Sequence, residues 1–193
     1  MRGYGVDSFF IEEVENYTQL TYLKRSEIFH IYSRFKRHGQ EVATNIHHRF
    51  EKSKILEIFP ELNYNPFIDR TLYIFSSMKD DRMSFEDILD LASAFSEDCP
   101  VDVKAKWAFL IFDFDQDNLL NSNDIVEMVT RLTKSGDDTS GEEQLTEEEK
   151  RKVADLILND VVLCNADGIT CVEFINIVRR IPEFLYAFRI KFT

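Results

Sequence analysis

The stretch of sequence that most constrains the fold is the acidic segment from Asp113 to Asp124. Three aspartates, Asp113, Asp115 and Asp117, alternate with other residues at its start, so their oxygens can converge on one point. Apolar residues at helical spacing precede and follow the segment, which predicts an amphipathic helix on each side. These apolar stripes are Val103, Trp107, Leu110 and Ile111 before the segment, and Ile125, Met128, Val129 and Leu132 after it.

A twelve-residue loop between two helices, with oxygen ligands at positions 1, 3, 5, 7, 9 and 12, is the EF-hand cation site. The predicted ligands are Asp113, Asp115, Asp117, Leu119 through its backbone carbonyl, Asn121 directly or through water, and Asp124. Leu120 stands at position 8, where an apolar residue suits the short β-bridge between two paired loops. We therefore predict one site for Ca²⁺ or Mg²⁺ in this loop.

Two residues depart from the usual loop. Position 6 normally requires glycine for a positive φ, and Asn118, which stands there, is the best substitute in the left-handed region. Asp124 at position 12 is one methylene shorter than glutamate and tends to offer one oxygen rather than two. Lower coordination suits octahedral Mg²⁺ and weakens Ca²⁺, so we predict a site that holds Mg²⁺ at rest and binds Ca²⁺ moderately.

Three other loops lack the ligands for a cation. The second, from Ser76 to Asp87, has Met78 at position 3 and too few carboxylates. The first, in residues 36–53, offers mainly His, Arg and Lys where oxygens are required. Neither of two registers of the fourth loop, with Ile169 at position 8 or with Asn165 at position 3, assembles a ligand set. We predict that all three bind no metal, and that Ile169 still pairs with Leu120.

Helix–loop–helix patterns recur about four times, and one such unit cannot bury its own apolar face. The chain is therefore predicted to be all-α, with four EF-hand units paired into two lobes and a C-terminal helical tail. The predicted divisions are 1–98 for the N-terminal lobe, 99–181 for the C-terminal lobe and 182–193 for the tail. A polar stretch containing Gly39 predicts a loop after Lys36, residues 135–144 predict a linker, and Thr146 with Glu149 predicts a capping box.

Composition excludes several classes of function. The net charge of −12 argues against nucleic acid as a partner, because a phosphate backbone requires basic neutralisation. No apolar run is long enough to insert in a membrane, and Arg2 stands where N-myristoylation requires glycine. Cys99, Cys164 and Cys171 lack CxxC spacing and indicate reduced thiols in a cytosolic protein. No catalytic triad, glycine-rich phosphate loop or zinc spacing is present, so we expect no enzyme.

Further motifs occur along the chain in a characteristic order. They are Pro60–Leu62 (PEL), Asn65–Arg70 (NPFIDR), Ser84–Leu91 (SFEDILDL), Ala108–Asp115 (AFLIFDFD), Arg131–Thr133 (RLT), Ile181–Phe184 (IPEF) and Phe188–Ile190 (FRI). In this order they resemble the calcium- and integrin-binding protein family of EF-hand adaptors, and the resemblance covers residues 15–193.

The resemblance implies a non-enzymatic adaptor that binds an apolar helical segment in the cytoplasmic part of a membrane protein. Within the family, such partners include integrin α tails and transmembrane channel-like mechanotransduction channels. The adaptor would be cytoplasmic and held at the plasma membrane through its partner. The family pattern has metal-binding third and fourth loops and often a myristoylation signal, and this chain departs from both. An aspartate at position 12 of the third loop, as Asp124 here, is usual in the family.

An apolar groove is the expected recognition surface for a partner helix, although the same residues suit packing within the lobes. The candidates are Ile88, Leu91, Phe95, Trp107, Leu110, Ile111, Met128, Val129, Leu132, Ile177 and Phe188. The tail at 182–193 either fills this groove until a partner displaces it or is docked permanently. A second function also stays open, the calcineurin B-like regulatory subunit of an enzyme, although the multiple intact loops and lipidation of that class are missing.

Overall fold

The computed structural model of the chain describes residues 8–38, 48–134, 145–161 and 168–192. Residues 39–47 of the first loop, the linker at 135–144, Cys164 and the centre of the fourth loop lie outside the described residues. The described chain is mostly helical, and its strands are two antiparallel pairs of two residues each, so the all-α prediction is confirmed at the level of fold class. No helix in the described ranges is long and apolar enough to cross a lipid bilayer.

Two compact units make up the chain. Unit 1 comprises Met1–Tyr64, Thr71–Pro100 and Arg189–Thr193, and unit 2 comprises Asn65–Arg70 and Val101–Phe188. The elements before Pro100 are α1 (Ser8–Leu20), α2 (Arg25–His38), β1 (Phe50–Glu51), α3 (Lys52–Ile58), a 3₁₀ turn (Pro60–Tyr64), α4 (Ile68–Phe75), β2 (Arg82–Met83) and α5 (Phe85–Phe95). Those that follow are α6 (Val101–Phe112), β3 (Leu119–Leu120), α7 (Ser122–Thr133), α8 (Glu147–Val161), β4 (Ile169–Thr170), α9 (Cys171–Val178) and α10 (Pro182–Ala187).

The core of unit 1 is aromatic and centred on Phe85, which is fully buried at the start of α5. Its ring lies 5.7 Å, between centroids, from each of the rings of Tyr17, Tyr32 and Phe35. The apolar spacing of Ile28, Ile31 and Phe35 on α2 places one face of that helix against this cluster, and all three side chains are buried. The helix continues to His38, slightly beyond the start of the predicted loop after Lys36.

The two strands of unit 2 hold its loops together. Leu120 of β3 lies opposite Ile169 of β4, which confirms the predicted pairing. Gly168, just before β4, has φ of 149°, and a Cβ there would lie 2.9 Å from the carbonyl oxygen of Leu120. Only glycine therefore allows the two backbones to approach this closely without strain. The pairing fixes the last part of the acidic loop against a partner strand.

The predicted capping box at the start of α8 is also confirmed. The amide of Thr146 donates to Glu149 Oε2 at 2.8 Å, and the amide of Glu149 donates to Thr146 Oγ1 at 3.3 Å. The two residues thus satisfy backbone donors that the first turn of α8 leaves free.

Candidate metal centre

The acidic loop begins where α6 ends, and Arg70 holds that end in place. The buried face of α6, which includes Ala105, Ala108 and Phe109, anchors the helix in unit 2. The guanidinium of Arg70 donates to the carbonyl of Leu110 at 3.1 Å and to that of Ile111 at 3.4 Å. These carbonyls belong to the last turn of the helix, which lacks amide partners of its own, so a cation at this end is stabilising.

Three carboxylates converge inside the loop. Oxygens of Asp113, Asp115 and Asp117 lie within 4.8 Å of one another. Backbone amides of the loop orient them: Asn118 donates to Asp113 Oδ2 at 3.1 Å, the amide of Asp117 to Asp115 Oδ1 at 3.2 Å, and Leu119 to Asp117 Oδ1 at 2.8 Å. The loop thus presents hard oxygen donors, which are the ligands that Mg²⁺ and Ca²⁺ prefer.

Two residues of the loop adopt the left-handed backbone conformation. Asn118 at position 6 has φ of 67°, as its replacement of glycine predicts, and Gln116 at position 4 has φ of 62°. The sequence alone does not predict the positive φ at Gln116. Both residues turn the backbone so that the amides just described point inward.

The carboxylate at position 12 is already bound to backbone amides on both of its oxygens. Phe114 donates to Asp124 Oδ1 at 2.9 Å, and Asn121 donates to Asp124 Oδ2 at 3.0 Å. The side-chain oxygen of Asn121 accepts from the amide of Asn123 at 2.8 Å and caps α7. This hydrogen bond favours a contribution through water, rather than a direct one, from position 9.

One buried atom of the loop lacks a hydrogen-bond donor. Asp113 is 3% exposed, and among the described residues no group donates to its Oδ1. Burial raises the pKa of Asp113 above its ordinary value, and the negative charges of Asp117 and Asp115 raise it further, against backbone hydrogen bonds that lower it. Burial likewise raises the pKa of Asp124. A buried carboxylate oxygen without a donor is unfavourable, and a divalent cation would supply the missing contact, so the residues fit a metal ion.

A second arginine supports the loop together with Arg70. Their guanidinium carbons lie 5.7 Å (Arg70) and 4.7 Å (Arg131) from the ring centroid of Phe114, the residue at position 2 of the loop. Arg131 also pairs with Asp69 at 2.6 Å and with Glu127 at 2.7 Å. The sequence patterns predict no role for these side chains, although Asp69, Arg70 and Arg131 all lie in the motifs that carry the family resemblance.

Similarity to known proteins shows which family this chain belongs to. A protein from Drosophila melanogaster, calcium and integrin-binding family member 2, is 31% identical over 195 residues, covering 98% of this chain and 99% of that protein. This chain belongs to the calcium and integrin-binding family. Human family member 2 is 30% identical over 191 residues and human family member 3 is 29% identical over 187 residues, each covering 95% of this chain and 96% of its own length. No family model matches the chain.

The groove residues predicted for this member of the calcium and integrin-binding family fall into two groups. Five are buried, namely Ile88, Leu91 and Phe95 in unit 1 and Ile111 and Phe188 in unit 2. The others, all in unit 2, are at least partly exposed: Trp107, Leu110, Met128, Val129, Leu132 and Ile177. Since a partner helix needs accessible apolar surface, the second group alone offers it without rearrangement.

The first part of the tail, Pro182 to Phe188, belongs to unit 2 and packs within it through aromatic rings. Phe184 in α10 lies 6.3 Å from Phe174 in an edge-to-face contact, and stacks on Phe188 at 5.5 Å. The buried Nζ of Lys104 donates to the carbonyl of Phe188 at 3.3 Å. Residues Pro182 to Phe188 are therefore docked on the rest of unit 2.

Proposed function

We propose that this chain is a non-enzymatic EF-hand adaptor that binds one Mg²⁺ or Ca²⁺ and an apolar helical segment of a membrane protein. In this proposal the four helix–loop–helix units pair into two lobes, divided at residues 98 and 99 and followed by the tail from 182. The observation that carries the ion site is Asp113, whose buried Oδ1 has no donor among the described residues and whose carboxylate converges with those of Asp115 and Asp117.

The third loop is the proposed ion site, with Asp113, Asp115 and Asp117 as direct ligands. The carbonyl of Leu119 and one oxygen of Asp124 would complete it, with Asn121 acting through water. Because both oxygens of Asp124 already accept backbone hydrogen bonds, a contribution of one oxygen is favoured over two. Fewer oxygens suit Mg²⁺, which we propose as the resting ion, with Ca²⁺ binding moderately.

The proposed partner site is the accessible apolar surface of unit 2, on and around α7. Leu132 is 62% exposed, and Met128, Val129 and Trp107 are partly exposed. The names of the relatives point to an integrin, and the family resemblance adds cytoplasmic helices of transmembrane channel-like channels. Either partner would place the chain in the cytoplasm at the inner face of the plasma membrane.

Peptide binding to the intact, Mg²⁺-loaded chain tests this proposal. Trp107, the single tryptophan, reports on the site through its fluorescence. We expect synthetic peptides of an integrin α tail or of a channel-like cytoplasmic helix to bind with a dissociation constant of about 1 µM or less. A control peptide with its apolar face replaced by aspartate should not bind. Equal binding of both peptides, or of neither, would contradict the proposal.

A matched pair of variants locates the site. Leu132→Asp should weaken peptide binding by at least about tenfold, because it places a charge on the proposed apolar surface. Leu20→Asp provides the control, since Leu20 is 78% exposed and lies on α1 of unit 1.

Phe184→Ala separates the two roles of the tail. It raises peptide affinity if the tail competes with the partner, and leaves affinity unchanged if the tail is docked permanently.

A further inference from the structure

The second loop, Ser76 to Asp87, keeps the backbone of a cation-binding loop although its sequence lacks the ligands. Its positions 4 and 6, Lys79 and Asp81, have φ of 53° and 57°. The same two positions of the third loop have φ of 62° and 67°. Positive φ in residues other than glycine is uncommon, so a match at both positions indicates the same loop conformation.

The carboxylate at position 12 repeats the match. In the second loop, Asp87 Oδ1 accepts from the amide of Ser77 at 3.2 Å, and Asp87 Oδ2 accepts from that of Ser84 at 2.9 Å. These amides stand at positions 2 and 9, which are the positions of the amides that donate to Asp124 in the third loop. The oxygens of the second loop therefore face inward as those of a cation site do.

A cation from within the chain lies among these oxygens. The guanidinium of Arg49 donates to Ser76 Oγ at 3.1 Å, Asp80 Oδ1 at 2.8 Å, the carbonyl of Arg82 at 2.7 Å and Asp87 Oδ2 at 2.8 Å. These acceptors stand at positions 1, 5, 7 and 12 of the loop. Four of the six ligand positions of an EF-hand thus contact one guanidinium.

Strand pairing and electrostatics explain why the Arg49 side chain lies among the oxygens of the second loop. Arg49 directly precedes β1, where Phe50 lies opposite Met83 of β2, so the register brings it to the second loop. A guanidinium offers five donors in a rigid plane and keeps its charge, which suits several converging oxygens. The hydrogen bond from Arg49 is the main cause that lowers the pKa of Asp80 below its ordinary value.

We propose that the guanidinium of Arg49 occupies the cation position of the second loop in place of a metal ion. One of the basic residues that replace ligands in the first loop, Arg49, then serves as the bound cation of the second loop. The second loop then keeps the conformation of an ion-filled loop at any concentration of Mg²⁺ or Ca²⁺. Divalent ions therefore bind to unit 2 and not to the second loop of unit 1.

The test restores the missing ligand and then removes the arginine. Met78, at position 3, is exposed, so Met78→Asp supplies a carboxylate without disturbing the core. Calcium is titrated by calorimetry into the full chain carrying Met78→Asp alone, and into the chain carrying both Met78→Asp and Arg49→Ala. With Arg49 present, the number of bound ions should equal that of the wild type. With Arg49→Ala it should rise by one, and the second loop should gain at least about tenfold in affinity.

Arg82→Ala in the Met78→Asp chain is the matched control. It also removes one positive charge close to the second loop, but the side chain of Arg82 is exposed and pairs with Glu51 at 3.0 Å instead of contacting the oxygens inside the loop. We expect it to change calcium affinity by less than about threefold, because surface charges interact weakly. Far-UV circular dichroism checks folding, and Arg49→Gln replaces Arg49→Ala if the latter does not fold.

Equal affinity of the second loop with and without Arg49, including no binding in either, would overturn the proposal. A failure of the third-loop site is distinguishable from this result. In that case the number of ions would rise from none to one when Arg49 is removed, and the inference about Arg49 would stand.

Discussion

Replacing Asp113 by alanine should weaken the binding of Mg²⁺ and Ca²⁺ to this chain by about 100-fold or more. Changes to outer groups that only orient a ligand cost roughly 10–100-fold, and Asp113 is proposed as a ligand itself. Its buried Oδ1 has no donor among the described residues, and its carboxylate belongs to the converging cluster with Asp115 and Asp117. Calorimetry with each ion measures the loss directly.

The control for this substitution is Asp155→Ala. Asp155 is exposed on α8 in the same unit, so the variant has the same net charge and leaves the loop intact. We expect its ion affinity to stay within about twofold of the wild type, since surface charges are screened. Binding by Asp113→Ala within a factor of three of the wild type would place the ion site elsewhere.

Replacing Phe109 by alanine should lower the free energy of unfolding of unit 2 by about 3–5 kcal/mol. Phe109 is 1% exposed on α6, and its ring lies 5.9 Å from that of Phe174, which in turn contacts the rings of Phe112 and Phe184. The substitution leaves a cavity in the cluster on which both the acidic loop and the tail depend. Denaturant unfolding followed by Trp107 fluorescence, which reports on unit 2, measures the change.

Tyr64→Ala is the control for the loss of an aromatic ring. Tyr64 is 88% exposed, and substitutions at such surface positions usually change stability by less than about 0.5 kcal/mol. A loss below about 1 kcal/mol for Phe109→Ala would mean that the aromatic cluster contributes little to unit 2.

The features that could be predicted from the sequence depend on local geometry. Asn118 adopts a positive φ because position 6 of such a loop demands it, and Thr146 with Glu149 forms a capping box because the spacing suffices. The pairing of Leu120 with Ile169 followed from position 8 of each loop. Each of these needs only a short segment and a known backbone pattern.

The supports of the two loops could not be predicted because they come from distant segments. Arg70 reaches the end of α6 from about 40 residues away, and Arg49 reaches Asp87 across 38 residues. A basic residue in a degenerate loop gives no sign of which acceptors it will meet in the fold. Similarly, the spacing of Ile88 and Leu91 predicts that they share one helix face, but it does not show whether other elements cover that face. Both side chains are buried.

Calcium titration in the absence and presence of Mg²⁺ tests most directly whether the third loop is a single site shared by both ions. We expect calorimetry of the wild-type chain to give one ion per chain, with Ca²⁺ affinity reduced when the chain is first saturated with Mg²⁺. The reduction should follow simple competition, because both ions would use Asp113, Asp115 and Asp117. Two or more bound Ca²⁺ ions, or a Ca²⁺ affinity that saturating Mg²⁺ leaves unchanged, would contradict a single shared site.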